Sequence, residues 1–272
     1  MTKRLTESGD ENPGLCARMI IGAATGVERD AYIFVQEREI SREEEEAAEK
    51  MLRRRLAGEP MAYILGEREF YNSSFLVSPA VLIPRPETET LVELAISADL
   101  PDETTFADFG CGSGCAGLSV ALEKPRWRGV LMDNSRAALA VARENGARLT
   151  ARARYIAGDI FAPPFRRASL DLVISNPPYI CESEKNEVCA ETLAYEPASA
   201  LFSPKDGFAH IMALIRAARY ILRENGLLAM EHGYRQQDDV ARLLADASFD
   251  DIRRYEDLAG LPRCVTARKT RG

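Results

Sequence analysis

Six residues near the middle of the chain have the side chains needed for chemistry on a planar nitrogen; they are Ser175-Asn176-Pro177-Pro178-Tyr179-Ile180. The side-chain oxygen of Asn176 and a main-chain carbonyl next to it can each accept one hydrogen of an NH2 group. Pro177 has no N–H that competes for these acceptors. A nitrogen held in this way is aimed at an electrophile, and its hydrogen bonds tighten as positive charge develops on it. The Tyr179 ring can stack on the group and favour a nearby cation.

The residues before this motif predict its place in a fold. Residues 170–174 form a short, apolar and partly β-branched run, which indicates a buried strand. Pro177 and Pro178 end that strand because they cannot donate to a sheet ladder. The motif therefore lies at the carboxyl end of a strand, the edge where open α/β sheets bind ligands. A purely structural turn that buries Tyr179 is the alternative, and the glycine-rich loop described next argues against it.

A glycine-rich loop follows an earlier predicted strand and opens a helix; its residues are Asp108-Phe109-Gly110-Cys111-Gly112-Ser113-Gly114. Glycines allow the backbone to turn sharply and to approach a ligand closely. Asp133 ends the next predicted strand, where a carboxylate can accept both hydroxyls of a ribose. Asp159 and Ile160 end the third strand, where a carboxylate and an apolar side chain are suited to hold an adenine. Three successive strand ends therefore predict a nucleoside site.

Asp108 decides which kind of nucleoside fits. Residues 112–117 match the G-x-G-x-x-G fingerprint of dinucleotide-binding proteins, which is weak evidence by itself. Asp108 would repel a pyrophosphate, whereas it can bind an α-amino group directly or through a water. A ligand with adenine, ribose and an amino acid end, but without phosphate, is S-adenosylmethionine. We expect its sulfonium to face Asn176.

An alternation of strands and helices from residue 104 onward must position these side chains. Strands are predicted at 105–109, 128–132, 153–157, 170–174, 226–231, 251–255 and 263–268, and helices at 114–123, 135–145, 207–223 and 235–247. Strands separated by helices imply a largely parallel sheet with right-handed crossovers. The last two strands are close in sequence and are expected to form an antiparallel pair at the sheet edge. The predicted fold class is α/β.

The first sixty residues predict a small helical domain. Residues 11–58 have a helical pattern, with apolar segments at 14–21 and 31–35. The clearest helix is predicted at 41–57, where Ser41 and Glu44 have the spacing of a capping box.

Aromatic residues on both sides of a predicted turn at 72–74 indicate a β-hairpin after the helices. Arg85, Glu87 and Glu89 follow, and they are interpreted as surface charges around a rigid loop. The predicted domains are a helical substrate-docking domain at 1–60, a hairpin linker at 61–80 and a methyltransferase domain at 81–272.

Composition excludes several functional classes. The 272 residues carry a formal net charge of −7, which argues against nucleic acid as the main partner because phosphate contacts need clustered Lys and Arg. The six cysteines form no Cys-x-x-Cys pair and only two histidines are present, so no metal site is expected. No apolar run is long enough to span a membrane and the first ten residues do not look like a signal peptide, which predicts a cytoplasmic protein.

Several motifs together resemble one known family, the release-factor glutamine N5-methyltransferases (PrmC/HemK). The matching residues are Glu59-Pro60, Tyr63-Ile64-Leu65-Gly66, Phe70-Tyr71, Ile83-Pro84-Arg85-Pro86-Glu87-Thr88-Glu89, Asp108 to Gly114, Asp133, Gly158-Asp159-Ile160-Phe161, Asn176-Pro177-Pro178-Tyr179-Ile180, Glu196-Pro197, Ala200-Leu201, Glu231, Gln236, Asp257-Leu258-Ala259-Gly260 and Arg263. Asn-Pro-Pro-Tyr is shared by several amino-methyltransferases, whereas its combination with the Ile-Pro-Arg-Pro-Glu-Thr-Glu segment is specific to this family.

The resemblance implies methyl transfer to the Gln side-chain amide in the Gly-Gly-Gln motif of class 1 peptide chain release factors. It also implies a helical bundle, a hairpin linker and a seven-stranded Rossmann-like domain that binds S-adenosylmethionine. By the same resemblance, residues 110–114, Asp133, Ile160 and Asn176 contact the cofactor, and residues 176–179 hold the glutamine. We expect a monomer that needs no metal and forms no covalent intermediate.

Two alternatives stay open at this point. An adenine-N6 methyltransferase acting on DNA or RNA would present the same two hydrogens to Asn176, but it predicts a basic groove that the acidic composition disfavours. A cofactor-binding module that regulates a partner without catalysis is the second alternative, and the intact glycine loop and Asn-Pro-Pro-Tyr motif argue against it.

Overall fold

The structure, a computed structural model, describes residues 1–27 and 39–270. The chain forms two compact units: Met1–Glu67 with Ala190–Tyr195, and Arg68–Cys189 with Glu196–Gly272. The three-part division into 1–60, 61–80 and 81–272 stays a prediction. Within the described residues, no helix is both long and apolar enough to cross a membrane.

The first unit is helical. Its helices are α1 (Thr2–Glu7), α2 (Pro13–Thr25), α3 (Arg42–Leu56), α4 (Met61–Leu65) and, from later in the chain, α8 (Ala190–Tyr195). The capping box of α3 is confirmed, because Ser41 Oγ accepts from the Glu44 N–H at 3.2 Å and Glu44 Oε2 accepts from the Ser41 N–H at 2.8 Å. Helix α1 was not predicted, and the predicted apolar segment at 31–35 lies outside the described residues.

Helix α8 is bound within this unit by polar contacts to the end of α3. Arg55 donates to both Asp10 and Glu191, so one half-buried guanidinium joins two distant parts of the chain. The Tyr195 hydroxyl donates to the Ala57 carbonyl at 2.8 Å. The contacts of Glu191 and Tyr195 join residues more than 130 positions apart in the sequence, and they hold α8 in the helical unit.

The second unit begins with a hairpin, β1 (Glu67–Phe70) and β2 (Ser73–Leu76). The predicted turn at 72–74 is wrong by about one residue. Tyr71 and Asn72 form the turn, and Ser73 and Ser74 already belong to β2. Tyr71 has a φ of 53°, a left-handed conformation that allows a tight turn, and no glycine was present to reveal it.

A seven-stranded sheet forms the centre of the second unit. Its strands are β3 (Thr105–Phe109), β4 (Arg128–Asp133), β5 (Ala153–Ala157), β6 (Leu170–Ser175), β7 (Leu222–Glu231), β8 (Phe249–Glu256) and β9 (Pro262–Lys269). The order is β5-β4-β3-β6-β7-β9-β8, and only the β7–β9 and β8–β9 pairings are antiparallel. The predicted α/β class, the seven strands and the antiparallel edge pair are therefore confirmed. The predicted bounds around residue 222 are wrong, because β7 begins at Leu222 and not at residue 226, and the helix before it ends at Ile221 and not at residue 223.

Helices cover both faces of this sheet and bury its apolar side chains. They are α5 (Glu89–Ser97), α6 (Cys115–Glu123), α7 (Arg136–Arg148), α9 (Ala209–Ile221) and α10 (Gln237–Asp246). One core packs Phe106 and Leu172 against α5 and α6, and the other packs Val173 and Leu228 against α9 and α10. All residues of β6 are buried, as expected for a central parallel strand.

The sheet order reverses between β3 and β6. After β3 the chain adds β4 and β5 on one side, then crosses to place β6 on the other side of β3. Asp108 of β3 lies beside Ile174 of β6, and the Ser175 hydroxyl donates to the Phe109 carbonyl at 2.7 Å. The glycine loop and the Asn-Pro-Pro-Tyr motif therefore leave neighbouring strands at a topological switch point, where open α/β sheets bind ligands.

Candidate active site

A cavity of about 300 Å³ opens at this switch point, at the small end of the range for ligand pockets. Ten of the predicted site residues line it; they are Asp108, Gly110, Cys111, Gly112, Ser113, Asp133, Ile160, Asn176, Pro177 and Pro178. The prediction thus placed residues from β3, β4, β6 and the loop after β5 in one pocket.

The glycine loop takes its shape from three left-handed residues. Gly110, Gly112 and Gly114 have φ values of 70°, 55° and 82°, which side chains with a Cβ rarely adopt. Gly114 is not among the cavity-lining residues. A Cβ there would lie 2.9 Å from Leu118 Cδ1 and 3.2 Å from Ala142 Cβ, so Gly114 allows the helix to pack closely.

Asp108 is buried beneath the loop. Its Oδ2 accepts from the Gly117 N–H at 3.0 Å, and a Cβ on Gly117 would lie 2.8 Å from that oxygen. Burial raises the pKa of the Asp108 carboxyl to about 7, with the Gly117 hydrogen bond opposing the shift. A buried carboxyl with so little local compensation favours a positively charged group in the adjoining cavity.

Asp133 at the end of β4 is held by the backbone. Its Oδ2 accepts from the Gly112 N–H at 2.9 Å and its Oδ1 from the Ser135 N–H at 2.8 Å. Burial raises the pKa of Asp133, although these hydrogen bonds oppose the shift. Each carboxylate oxygen has further lone pairs, so the fixed carboxylate can still accept from a ligand's hydroxyl groups.

Asn176 has one defined side-chain partner. Its Nδ2 donates to Thr88 Oγ1 at 3.0 Å, and the Thr88 hydroxyl donates to Glu231 Oε2 at 2.7 Å. Neither Asn176 Oδ1 nor the Pro177 carbonyl oxygen accepts a hydrogen bond from the described residues. Asn176 Oδ1 and the Pro177 carbonyl oxygen are thus two available acceptors on consecutive residues, and both residues line the cavity.

Comparison with known proteins shows the family of the chain. A family model described as the PrmC N-terminal domain matches residues 1–66, and one described as the methyltransferase small domain matches residues 88–208. A release factor glutamine methyltransferase of Nitratidesulfovibrio vulgaris is 36% identical over 271 residues, covering 98% of this chain and 92% of that protein. One of Neisseria gonorrhoeae is 41% identical over 253 residues, covering 92% of each. The chain belongs to the release factor glutamine methyltransferase family.

Family membership makes this protein a methyltransferase, and the family and fold imply the use of S-adenosylmethionine. The crystal structure of a ribosomal protein L11 methylase from Lactobacillus delbrueckii subsp. bulgaricus matches with a TM-score of 0.51 at 19% identity. It covers 72% of this chain and 84% of that chain, and the likeness is one of fold.

Tyr179 of this methyltransferase is anchored at both its hydroxyl and its carbonyl. The hydroxyl donates to Glu231 Oε1 at 2.9 Å, and the carbonyl accepts from Gln236 Nε2 at 3.0 Å. Burial raises the pKa of Tyr179, so it stays a neutral phenol that donates to Glu231. Tyr179 is not among the cavity-lining residues, and its predicted contact with a substrate amide stays a prediction.

Gly207 lies against the backbone of Tyr179. Its φ is 87°, and it follows two further left-handed residues, Lys205 and Asp206. A Cβ on Gly207 would lie 2.3 Å from the Tyr179 carbonyl oxygen and 2.7 Å from Gln236 Nε2. Only glycine therefore allows the segment before α9 to pass so close to the Asn-Pro-Pro-Tyr motif.

Residues of the charged loop before α5 line the cavity. The interpretation of Arg85 as a surface charge is wrong, because it lines the cavity and donates to the buried carboxylate of Glu196. Glu196 also accepts from the Ile83 N–H at 3.0 Å, which fixes the loop backbone. Glu89 is likewise engaged, since it accepts from the Tyr71 N–H at 2.9 Å.

Asp159 is a third predicted site residue, after Gly114 and Tyr179, that does not line the cavity. It is exposed and does not line the cavity, and its Oδ1 accepts from the Phe161 N–H two residues later at 2.9 Å. Such a short-range bond is common for Asp in turns. Its neighbour Ile160 does line the cavity. A direct role of Asp159 in holding adenine stays a prediction.

Several residues of this methyltransferase site were not assigned a role from the sequence. Asn145 on α7 is fully buried, and its Nδ2 donates to the Ser113 carbonyl at 2.9 Å and the Leu76 carbonyl at 3.0 Å. His210 lines the cavity, and its Nδ1 hydrogen bonds with Ser203 at 2.7 Å. The place of Asn145 among the apolar positions of the predicted helix at 135–145 is a signal that could have found it, whereas no sequence signal points to His210.

Proposed function

We propose that this enzyme transfers a methyl group from S-adenosylmethionine to the side-chain amide nitrogen of the Gln in the Gly-Gly-Gln motif of class 1 peptide chain release factors. Its relatives are named release factor glutamine methyltransferases, and the site chemistry suits an amide acceptor. The single observation that carries the assignment is the fixed Asn176 amide, whose Nδ2 is taken up by Thr88 and whose Oδ1 is left as an acceptor. The enzyme acts in the cytoplasm as a monomer and does not bind nucleic acid directly.

The cavity fits S-adenosylmethionine by its donor and acceptor set. Asp108 suits the α-amino group, the carboxylate of Asp133 suits the ribose hydroxyls, and Ile160 provides an apolar contact for adenine. Among the described residues that line the cavity, Arg85 is the one Lys or Arg, and it pairs with Glu196. A pyrophosphate therefore has no cation to bind, which favours a ligand without phosphate.

The residues of the Asn-Pro-Pro-Tyr motif orient the acceptor nitrogen. Asn176 Oδ1 and the Pro177 carbonyl accept the two hydrogens of the glutamine amide, while the stiff Pro177-Pro178 backbone keeps the two acceptors at a fixed spacing. Both hydrogen bonds strengthen as positive charge develops on the nitrogen. The Tyr179 ring, fixed through Glu231, packs beside the amide. When bound, S-adenosylmethionine would supply the methyl group: the N–C bond would form as the S–C bond breaks, S-adenosylhomocysteine would leave, and the methylated amide would release one proton to water.

The test is methyl transfer to purified substrates. The protein is incubated with S-adenosylmethionine carrying a tritiated methyl group, together with a class 1 release factor or with DNA or RNA. We expect label in the release factor, and mass spectrometry should place one added methyl on the Gln of the Gly-Gly-Gln peptide. Label in adenine of the nucleic acid and none on glutamine would contradict the proposal.

Asp108 gives a prediction that links pH, stability and ligand binding. Its pKa is raised to about 7 in the folded protein from 3.8, so the folded state binds more protons between these values. The contribution of Asp108 to the stability of the unliganded enzyme is therefore fully present below about pH 4 and is lost as pH rises to about 7. D108N should be more stable than the wild type above pH 7, by on the order of 1–3 kcal/mol, yet bind S-adenosylmethionine roughly 10- to 100-fold more weakly.

Thermal unfolding across this pH range and titration calorimetry measure the two effects. D102N is the matched control, because Asp102 is exposed and forms a surface ion pair with Arg126. It should change neither quantity. A D108N variant that binds the ligand as tightly as the wild type would contradict the assignment of Asp108 to a cationic group.

A further inference from the structure

A buried carboxylate, that of Glu231, lies behind Asn176. The proposed reaction gives it no role in holding the Asn176 side chain. Glu231, at the end of β7, is 1% exposed and Thr88, just before α5, is 2% exposed. The two are joined at 2.7 Å, and Thr88 in turn receives the Nδ2 hydrogen of Asn176 at 3.0 Å. Three buried or half-buried polar side chains from three separate elements thus form one chain of hydrogen bonds.

The direction of these hydrogen bonds is determined by Glu231. Its two oxygens each accept from a hydroxyl, that of Thr88 and that of Tyr179. A hydroxyl has one hydrogen, so Thr88 has given its own to Glu231 and can only accept from Asn176. Asn176 must therefore turn its NH2 toward Thr88, which leaves its carbonyl oxygen on the opposite side of the amide group.

The orientation of the Asn176 amide matters because its two ends have opposite hydrogen-bonding character. With the oxygen presented, the site attracts a guest NH2 and repels a guest carboxylate. With the NH2 presented, it would repel the hydrogens of a glutamine amide and attract the oxygens of a glutamate. The amide plane is nearly symmetrical in shape, so packing alone selects weakly between the two orientations.

We propose that Glu231 and Thr88 are positioning residues that lock the Asn176 amide in one orientation, and that they thereby make the site select a carboxamide over a carboxylate. The proposal rests on the proposed function, since it takes glutamine as the guest. It adds that discrimination between Gln and Glu is imposed by a relay of three side chains, two of which do not touch the reacting nitrogen.

The experiment compares T88V with T88S. Valine has the shape of threonine without its hydroxyl, and serine keeps the hydroxyl. The measured quantities are kcat and KM for the release factor, and the inhibition constant of a release factor whose Gly-Gly-Gln is changed to Gly-Gly-Glu. For T88V we expect kcat to fall roughly 10- to 100-fold. The inhibition constant of the Gly-Gly-Glu protein, divided by the KM of the Gly-Gly-Gln protein, should fall about tenfold. T88S should stay within about threefold of the wild type in both quantities.

S-adenosylmethionine affinity and the unfolding temperature separate positioning from a general defect. Both should stay near the wild-type values in T88V if the variant acts through Asn176. A T88V enzyme with unchanged discrimination between the Gln and Glu proteins would overturn the proposal, and so would equal losses in T88V and T88S. If T88V does not fold, T88C provides the same test, because a thiol is only a weak donor and acceptor. A wild-type enzyme that leaves Gly-Gly-Gln unmethylated would instead refute the proposed function.

Discussion

N176A is expected to lower kcat for release factor methylation by about 10²- to 10³-fold while S-adenosylmethionine affinity changes by less than about threefold. The variant removes one of the two acceptors that aim the amide nitrogen and stabilise charge on it, and single hydrogen-bonding groups of this kind have effects of that size. The cofactor site loses little, because the glycine loop, Asp108 and Asp133 are held by contacts that do not involve residue 176. Rapid-quench measurement of methyl transfer and calorimetry of cofactor binding test both parts.

N72A is the matched control for this variant. Asn72 is an exposed Asn in the hairpin turn of the same unit, and its side chain contacts Glu123 at the surface. Its removal should leave kcat within about twofold of the wild type. An N176A enzyme that turns over at the wild-type rate would refute the role given to the Asn176 oxygen.

G207A is expected to lower kcat by about 10²-fold and to destabilise the protein by at least about 2 kcal/mol. The new methyl group would lie 2.3 Å from the Tyr179 carbonyl, well inside the contact distance, and the backbone conformation is unfavourable for any residue with a Cβ. Either the segment before α9 or residues 176–179 must move. A shift of about 1 Å in groups that position a substrate is sufficient for a loss of this size.

The G260A variant measures the cost of placing a Cβ on a left-handed backbone where no steric clash occurs. Gly260 also has a positive φ, 75°, but a Cβ there would meet nothing within 4 Å. This variant should therefore lose roughly 1–2 kcal/mol of stability without a comparable fall in kcat. Denaturant unfolding and kinetics of the two variants provide the comparison, and equal kcat values for G207A and the wild type would show that Gly207 does not constrain the motif.

The sheet was predictable because its central strands contain short apolar runs, and because its edge strands follow the alternation with helices. Central strands such as β6 are buried on both faces, so their composition differs clearly from that of the amphipathic helices around them. The first helix was not predicted, since six residues with one buried side chain, Leu5, carry too little periodicity. The hairpin turn was displaced because a non-glycine residue, Tyr71, adopts the left-handed conformation there.

The cofactor side of the site was predictable for a related reason. Asp108, Asp133 and Ile160 each follow a predicted strand, and parallel strands bring their carboxyl ends to one edge. The support for Asn176 was not predictable in this way. Thr88, Glu231 and Gln236 come from separate elements, and their roles depend on tertiary packing that places a buried hydroxyl, carboxylate and amide at one point. No pattern of spacing within a single element reports such a contact.

The helical unit draws on two stretches of chain, residues 1–67 and 190–195, and this affects its biosynthesis. Domains generally begin to fold from the amino terminus while translation continues. Here the carboxylate of Glu191 and the hydroxyl of Tyr195 reach Arg55 and Ala57 only after most of the central sheet has been synthesised. The amino-terminal helices therefore gain their last partners after β3, β4, β5 and β6 have been synthesised and before β7, β8 and β9 are.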